Sequence, residues 1–182
     1  SSGLVGSEMC IRDRLIIVDK NAKELNGDDI LFVLARDKFE NQITLGAKGV
    51  VGTIMTNKGL EIALNKMGVE LIRSDVGDKF VLQKLEELGW DLGGEQSGHI
   101  ICLDASNTGD AIIAAIKFLE AYICSELSLD RILEPMNKYS QILSKIETND
   151  PEKILKNKRF LKLINDISEN LKNYDGRINV RP

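Results

Sequence analysis

A strand, a helix and a second strand are predicted from residues 49–73, which read GVVGTIMTNKGLEIALNKMGVELIR. The apolar run at 49–55 is typical of a buried strand, and Asn57 can cap the helix that follows it. That helix ends at Gly68, a common C-terminal stop. Its apolar positions fall on one face: Leu60, Ala63, Leu64 and Met67. The next apolar run, at 69–73, predicts a second strand after a crossover connection.

The same order recurs directly afterwards. A turn at 76–78 leads into a helix that ends at Gly89 and is predicted to turn Phe80, Val81, Leu85 and Leu88 inward. Short strands at 90–92 and 99–103 flank a glycine-rich loop, which predicts an antiparallel hairpin. A helix of about five turns then follows. Its predicted buried face carries Ile112, Ile116, Leu119, Ile123 and Leu127. The alternation predicts an α/β fold, a mixed sheet flanked by helices.

The flanking segments are less regular. Residues 15–19 predict a buried strand, and the aspartates of the turn at 26–29 can cap a helix over the apolar segment 30–35. Pro135 marks a predicted domain boundary. Beyond it we expect a strand at 139–146, a Lys-rich amphipathic helix from about 152 to 172, and a strand at 177–181.

Composition excludes several classes of protein. The 182 residues contain 24 Lys and Arg against 28 Asp and Glu, a net charge of -4, which is not the footprint of a general nucleic-acid binder. No apolar run approaches the roughly 20 residues needed to span a bilayer. The cysteines at 10, 102 and 124 are too few and scattered for a disulfide framework or a metal cluster, which favours a reducing compartment.

The loop at 93–99, which reads GGEQSGH, carries the most chemistry. Its glycines permit close approach of a ligand, and a carboxylate such as Glu95 can accept hydrogen bonds from two adjacent sugar hydroxyls. The alternative is a glycine-stabilised hairpin turn with incidental polar residues. His99 is the only histidine and a poor zinc candidate, because no Cys or second His lies near it in sequence.

Residues 76–80, which read VGDKF, lie where a strand becomes a helix. Their amides and Lys79 could meet an anionic group. An ordinary Asp helix cap is the alternative that the residues alone favour. Thr108, Gly109 and Asp110 likewise read as a cap rather than a ligand site.

Six segments together resemble the bacterial phosphoglucosamine mutases, a family of the phosphohexomutase superfamily. In order, the segments are DRLIIVD at 13–19, VVGTIMTN at 50–57, VGDKFV at 76–81, GGEQSGH at 93–99, TGD at 108–110 and GRINVRP at 176–182. The loop at 93–99 is the most specific of them, since Gln96 is typical of the glucosamine branch. The resemblance extends from residue 14 to residue 182.

The resemblance implies an isomerase of four domains, cytoplasmic and Mg²⁺-dependent, on the path to cell-wall precursors. Such enzymes interconvert glucosamine 6-phosphate and glucosamine 1-phosphate through a phosphoserine and a bisphosphate intermediate. It implies that Glu95 accepts from the sugar 3- and 4-hydroxyls with Ser97 beside it, and that Gly94, Gln96 and His99 shape the pocket. Gly77, Asp78 and Lys79 would line its other side.

The sequence departs from the family at the metal motif. Typical members carry Asp-Gly-Asp-Ala-Asp-Arg, whereas residues 9–14 read Met-Cys-Ile-Arg-Asp-Arg, so that only Asp13 and Arg14 match. Residues 4–14 resemble the translation of a sequencing-library adapter, so residues 1–14 are interpreted as a scar of library preparation; the alternative is a genuine N-terminal arm. Asp13 then matches a Mg²⁺ ligand of the family by position alone.

The resemblance divides the rest of the chain into three parts. Residues 15–43 would end domain two, 44–134 would form domain three, and 135–182 would begin a truncated domain four. We expect a fragment without its nucleophilic serine, inactive by itself. Two alternatives stay open: a phosphomannomutase or phosphoglucomutase fragment, and a sugar-phosphate-binding module without catalysis.

Overall fold

The computed structural model describes residues 13–41, 49–174 and 176–181, and these form two compact units that divide after Gln141. Cys10 and most of the predicted scar lie outside the described residues, as do Asp175 and Pro182. In the described part of the chain, no helix has both the length and the apolar character needed to cross a bilayer.

A four-stranded mixed sheet forms the centre of the first unit. Its strands are β3 (Gly49–Thr53), β4 (Glu70–Ser74), β5 (Leu92–Gly94) and β6 (Ile100–Cys102), and they lie in the order β4-β3-β5-β6. β3 pairs in parallel with both β4 and β5, whereas β5 and β6 form the antiparallel hairpin. The predicted mixed sheet and hairpin are thus confirmed, with β5 beginning two residues after the predicted start at 90.

Helices cover both faces of this sheet. They are α1 (Gly27–Asn41), α2 (Lys58–Lys66), α3 (Asp78–Leu88), α4 (Ala111–Cys124) and α5 (Leu129–Leu133). Val50 packs into the larger core, which α1, α2, α4 and α5 share, and Val51 packs against α3 in a second core. Successive residues of a strand point to opposite faces, so β3 packs against helices on both faces of the sheet and the unit has three layers.

The predicted N-cap of α2 and the predicted C-terminal glycines of α2 and α3 are confirmed. Asn57 Oδ1 accepts from the main-chain N of Gly59 at 2.9 Å, and Gly68 and Gly89 follow their helices with φ of 74° and 65°. These left-handed conformations favour glycine.

The cap of α1 differs from the prediction. Asn26 Oδ1, rather than an aspartate, accepts from the main-chain N of Asp28 and Asp29. Asp29 Oδ2 accepts in return from the main-chain N of Asn26 at 2.9 Å, so these two residues form a capping box. Asp28 is not needed as a cap, and it is fully buried.

The predicted buried face of α4 is wrong. Ala114, Phe118 and Ala121 are buried. The predicted apolar positions are exposed instead: Ile112, Ile116, Leu119, Ile123 and Leu127. This helix is apolar nearly all round, and the face with two alanines lets its backbone approach α1 closely. In α3, Val81 and Leu85 are buried as predicted, but Phe80 and Leu88 are partly exposed.

The first strand is also less buried than predicted. β1 (Ile17–Val18) pairs antiparallel with β2 (Glu24–Leu25) in a separate two-stranded ladder. Ile16 and Val18 are exposed because this short ladder lies outside the main sheet.

In the second unit, the predicted long helix is two helices, α6 (Pro151–Leu155) and α7 (Lys158–Lys172). Asn157 begins the second helix, because its side chain caps α7 by accepting from the main-chain N of Arg159 and Phe160.

The strands predicted at 139–146 and 177–181 are not strands in the part of the chain that the structure describes. Tyr139 and Gln141 are held instead by hydrogen bonds to Asn57 and Met55. The assignment to domains two, three and four stays a prediction.

Candidate functional site

Three loops meet at one edge of the sheet, and we call them the edge loops: 54–57 after β3, 75–77 after β4 and 95–99 after β5. The three strands run in parallel, so their carboxyl ends lie on the same side. α2 and α3, which follow β3 and β4, pack on opposite faces of the sheet. A crevice at the carboxyl ends of such strands is where open α/β sheets bind ligands.

A direct hydrogen bond joins the two loops that the sequence singled out. The main-chain N of Gly77 donates to Glu95 Oε1 at 2.9 Å. The turn around Glu95 is closed by its own N–H, which donates to the carbonyl of His99, and by Gly98, which donates to the carbonyl of Glu95. Among the described residues, Glu95 Oε2 accepts no hydrogen bond. One carboxylate oxygen is thus anchored, and the other stays open to a hydroxyl donor.

The start of α3 does not carry an Asp cap. Gly77 occupies the N-cap position, with φ 129°, and no side chain caps the helix there. Asp78 and Lys79 are exposed in the first turn, and Lys79 Nζ lies 4.7 Å from the centre of the Phe80 ring. The alternative of an ordinary Asp cap is therefore wrong. The first turn of α3 instead presents main-chain N–H groups and a lysine, a combination that suits an anion.

His99 is largely buried between two segments. Its Nε2 lies 4.0 Å from Asp78 Oδ2, and its ring lies so close to Gly109 that a Cβ there would be 2.5 Å from Nε2. Asp110 caps α4, accepting from the main-chain N of Ile112 and Ile113, which confirms the cap prediction for 108–110. Gly109 therefore makes room for the imidazole, a role that the sequence did not indicate.

Gln96 and Ser97 occupy the turn of the 95–99 loop in different ways. Ser97 is exposed, whereas the carbonyl of Gln96 accepts from the main-chain N of Gly27 at 3.0 Å. Gln96 Nε2 donates to Asp28 Oδ2 at 3.3 Å and to Gln141 Oε1 at 2.9 Å. The N-terminus of α1 thus supports the loop from behind, and Gly94, the last residue of β5, is buried below it.

Asp28 is the site residue that sequence reasoning missed. Burial raises its pKa to about 6, although the hydrogen bond from the main-chain N of Asn57 opposes that rise. Nothing in the turn at 26–29 distinguishes Asp28 from its neighbour Asp29. Its partners lie 29 and 68 residues further along the chain, so no local pattern could have identified it.

The segment that carries Asp13 lies beside the 95–99 loop. Arg14 forms an isolated antiparallel bridge with His99, and the main-chain N of Leu15 donates to the carbonyl of Gly98 at 2.9 Å. Within the described residues, however, no three His, Cys, Asp or Glu side chains are grouped to hold a metal. A single carboxylate does not supply the oxygen shell that Mg²⁺ requires, so these residues do not fit the metal.

The described cysteines are not candidate nucleophiles in this site. Cys102 is buried in β6, where burial raises the pKa of its thiol to about 11. Cys124 is exposed at the end of α4, away from the edge loops. A thiol with so high a pKa stays protonated at neutral pH.

Comparison with known proteins identifies relatives of this chain. Residues 26–139 match the family described as phosphoglucomutase/phosphomannomutase, alpha/beta/alpha domain III. The phosphoglucosamine mutase of Aeromonas hydrophila is 46% identical over 142 residues, covering 76% of this chain and 32% of that protein. That of Legionella pneumophila is 37% identical over 170 residues, covering 93% of this chain and 37% of that protein. The chain spans about a third of the length of these relatives.

Solved structures share the fold at low sequence identity. A phosphoglucomutase/phosphomannomutase family protein from Burkholderia thailandensis matches with a TM-score of 0.59 and 21% identity, over 69% of this chain and 27% of that chain. The Aspergillus fumigatus N-acetylphosphoglucosamine mutase, in complex with GlcNAc-6P and magnesium, matches with a TM-score of 0.55 and 16% identity, over 70% and 34%. These matches show the fold of the described sheet and helices.

Proposed function

This chain belongs to the phosphoglucomutase/phosphomannomutase family, and on that premise we propose that it supplies the sugar-binding part of a phosphoglucosamine mutase. The reaction of the whole protein would interconvert glucosamine 6-phosphate and glucosamine 1-phosphate in the cytoplasm, through a phosphoserine and a bisphosphate intermediate. The names and identities of the Aeromonas and Legionella relatives support this proposal.

The observation that carries the proposal is the anchored carboxylate of Glu95. Gly77 holds Oε1, and Oε2 is open to a ligand. A carboxylate fixed in this way can accept from the adjacent 3- and 4-hydroxyls of a pyranose at a charge-assisted strength. A mutase must hold its sugar in two orientations, and these two hydroxyls nearly superpose when the sugar is turned round. One fixed acceptor therefore serves both halves of the reaction.

The remaining edge-loop residues would orient the sugar phosphate. Ser97 is exposed beside Glu95 and can exchange hydrogen bonds with a hydroxyl. Lys79 and the uncapped first turn of α3 favour the negative phosphate. The family's Mg²⁺ would neutralise phosphate charge in the whole protein. No residue of this chain is proposed as nucleophile or metal ligand, and we expect the chain alone to bind without turnover.

Binding to the isolated chain tests this proposal. Glucosamine 6-phosphate should shift the amide resonances of Gly77, Glu95 and Ser97 in a ¹⁵N NMR titration. Glu95→Ala should weaken binding by about tenfold or more, because hydrogen bonds to a charged group contribute roughly 1.5–3 kcal/mol. The matched control is Glu87→Ala, which removes an exposed carboxylate of α3 that bonds Gln83 and Lys84.

Two results would count against the proposal. Equal affinity of the wild type and Glu95→Ala would remove Glu95 from the site. Equal or tighter binding of glucose 6-phosphate or mannose 6-phosphate would replace the amino-sugar assignment with that of a phosphoglucomutase or phosphomannomutase.

A further inference from the structure

A fully buried carboxylate lies behind the 95–99 loop, and the cap of α1 does not account for it. Asp28 is 0% exposed, and its Oδ2 accepts from the main-chain N of Asn57 at 2.9 Å and from Gln96 Nε2 at 3.3 Å. Its Oδ1 has no hydrogen-bond partner among the described residues. Burying an ionisable group with half of its acceptors unused is costly, because water is lost without full replacement.

The direction of the neighbouring hydrogen bonds determines how the Gln96 amide must face. Gln141 Nε2 donates to the main-chain carbonyl of Met55 at 2.9 Å. A carbonyl only accepts, so Gln141 must turn its Oε1 towards Gln96, where it requires a donor. An ionised Asp28 is also an acceptor only. Both neighbours therefore require the NH₂ group of Gln96.

The other end of this amide carries no such bond. Gln96 Nε2 serves both Asp28 and Gln141, at 3.3 Å and 2.9 Å. Gln96 Oε1 accepts no hydrogen bond from any residue that the structure describes. The two neighbours thus leave the amide oxygen as the group that the loop can offer to a ligand.

We propose that Asp28 is a positioning residue, which together with Gln141 holds the Gln96 amide so that its oxygen is presented as an acceptor to a donor on the bound sugar. An ammonium group carries donors only, whereas a hydroxyl is both donor and acceptor. A locked acceptor therefore suits an amino sugar, and an amide free to turn round would lose that selectivity. This inference rests on the proposed function of the 95–99 loop.

The charges around Asp28 set the conditions under which the amide is held. The charge of Asp29 on the same helix opposes ionisation of Asp28, whereas the charges of Lys138 after α5 and Arg73 on β4 favour it. Burial raises the pKa of Asp28 to about 6, so the carboxylate is mostly ionised at pH 7.5. Below pH 6 it mostly carries a proton, which Oδ1, the oxygen without a donor, can take; the loss of charge then weakens the hydrogen bond from Gln96 Nε2 to Oδ2.

The first experiment follows the Gln96 side-chain NH₂ resonances of the free chain by ¹⁵N NMR from pH 5 to pH 8. Their loss in Gln96→Ala assigns them. We expect a shift with a midpoint near pH 6 in the wild type, and no such shift in Asp28→Asn. Asp104→Asn is the matched control, because Asp104 bonds Lys117 and Lys38 elsewhere and should leave the Gln96 shift unchanged. Gln96 resonances that do not respond to pH would overturn the proposal, and this wild-type measurement stands even if Asp28→Asn does not fold.

The second experiment compares two ligands at pH 7.5. Asp28→Asn should weaken the binding of glucosamine 6-phosphate by about fivefold or more and that of glucose 6-phosphate by less than about twofold, because only the ammonium depends on a fixed acceptor. In a Gln96→Ala background, Asp28→Asn should cause no further change, as expected for a residue that acts through another. If Asp28→Asn lowered the affinity for both sugars equally, or lowered it by the same factor in the Gln96→Ala background, the role of Asp28 would be merely structural. If neither sugar binds the wild type, the proposed function fails, while the resonances of the free chain still decide whether Asp28 orients Gln96.

Discussion

Gly27 lies directly against the main-chain carbonyl of Glu95, so that a Cβ at position 27 would be 1.9 Å from that oxygen. The main-chain N of Gly27 also donates to the carbonyl of Gln96 at 3.0 Å. Gly27→Ala should therefore push the 95–99 loop away from α1. We expect a loss of about 2–4 kcal/mol in the free energy of unfolding, measured in urea, and shifted amide resonances at 95–99.

The control for that substitution is Gly68→Asn. Gly68 has φ 74°, and a Cβ there would meet nothing within 4 Å. Asn tolerates this left-handed conformation, so the cost should stay below about 1 kcal/mol. Comparable losses for the two variants would mean that the contact between Gly27 and Glu95 is not tight.

Stability should depend on pH through Asp28. Burial raises its pKa from 3.8 to about 6, so the folded state binds this proton more tightly than the unfolded chain. Stability from this group therefore rises as the pH falls from 6 towards 4, by about 3 kcal/mol in total. Asp28→Asn should accordingly gain stability relative to the wild type as the pH is raised from 4 to 7.5. Urea unfolding at both pH values measures this, and a difference that does not change with pH would contradict it.

Asn57 should stabilise the fold more than an ordinary helix cap does. Besides capping α2, its Oδ1 accepts from the main-chain N of Tyr139 at 3.0 Å and its Nδ2 donates to the Tyr139 carbonyl at 2.8 Å. Asn57→Ala should cost about 2–3 kcal/mol, against about 1 kcal/mol for Asp110→Ala, which removes only the cap of α4. Equal costs in urea unfolding would show that the bonds to Tyr139 contribute nothing.

Two substitutions in α4 test which of its faces is buried. Phe118 is 2% exposed and Ile116 is 60% exposed. Phe118→Ala should cost about 3 kcal/mol or more because it leaves a cavity, whereas Ile116→Ala should stay within about 0.5 kcal/mol. Thermal unfolding of the two variants compares them directly. If Ile116→Ala cost more stability than Phe118→Ala, the buried face of α4 would be the one that the sequence predicted.

Local signals accounted for most of the central sheet and its helices. Asn57, Gly68 and Gly89 mark helix ends through interactions within a few residues, so their roles were predictable. The buried face of α4 was not, because apolar residues surround that helix and the choice depends on the shape of α1 opposite. The amphipathic segment at 152–172 was predicted as helix, but its interruption at Asn157 was not.

The candidate site was likewise predictable only in part. The loops at 76–80 and 93–99 were identifiable from their residues, because glycine and polar side chains cluster there. The hydrogen bond from Gly77 to Glu95 and the contact of His99 with Gly109 depend on strand order, which no short pattern specifies. Asp28 was missed for that reason. The assignment of roles to Glu95, Ser97 and Lys79 stays a prediction until binding is measured.

The pairing of β5 with β3 has a consequence for the order in which the molecule folds. The two strands meet at Val51 and Gly93, with α2, β4 and α3 between them in the chain. Closing so long a loop costs entropy before any contact repays it, so this pairing should form late. During synthesis, the strand–helix–strand unit at 49–74 can collapse first, and the 95–99 loop acquires its shape only when β6 has emerged. Until then, the glycines of this loop would be open to proteases.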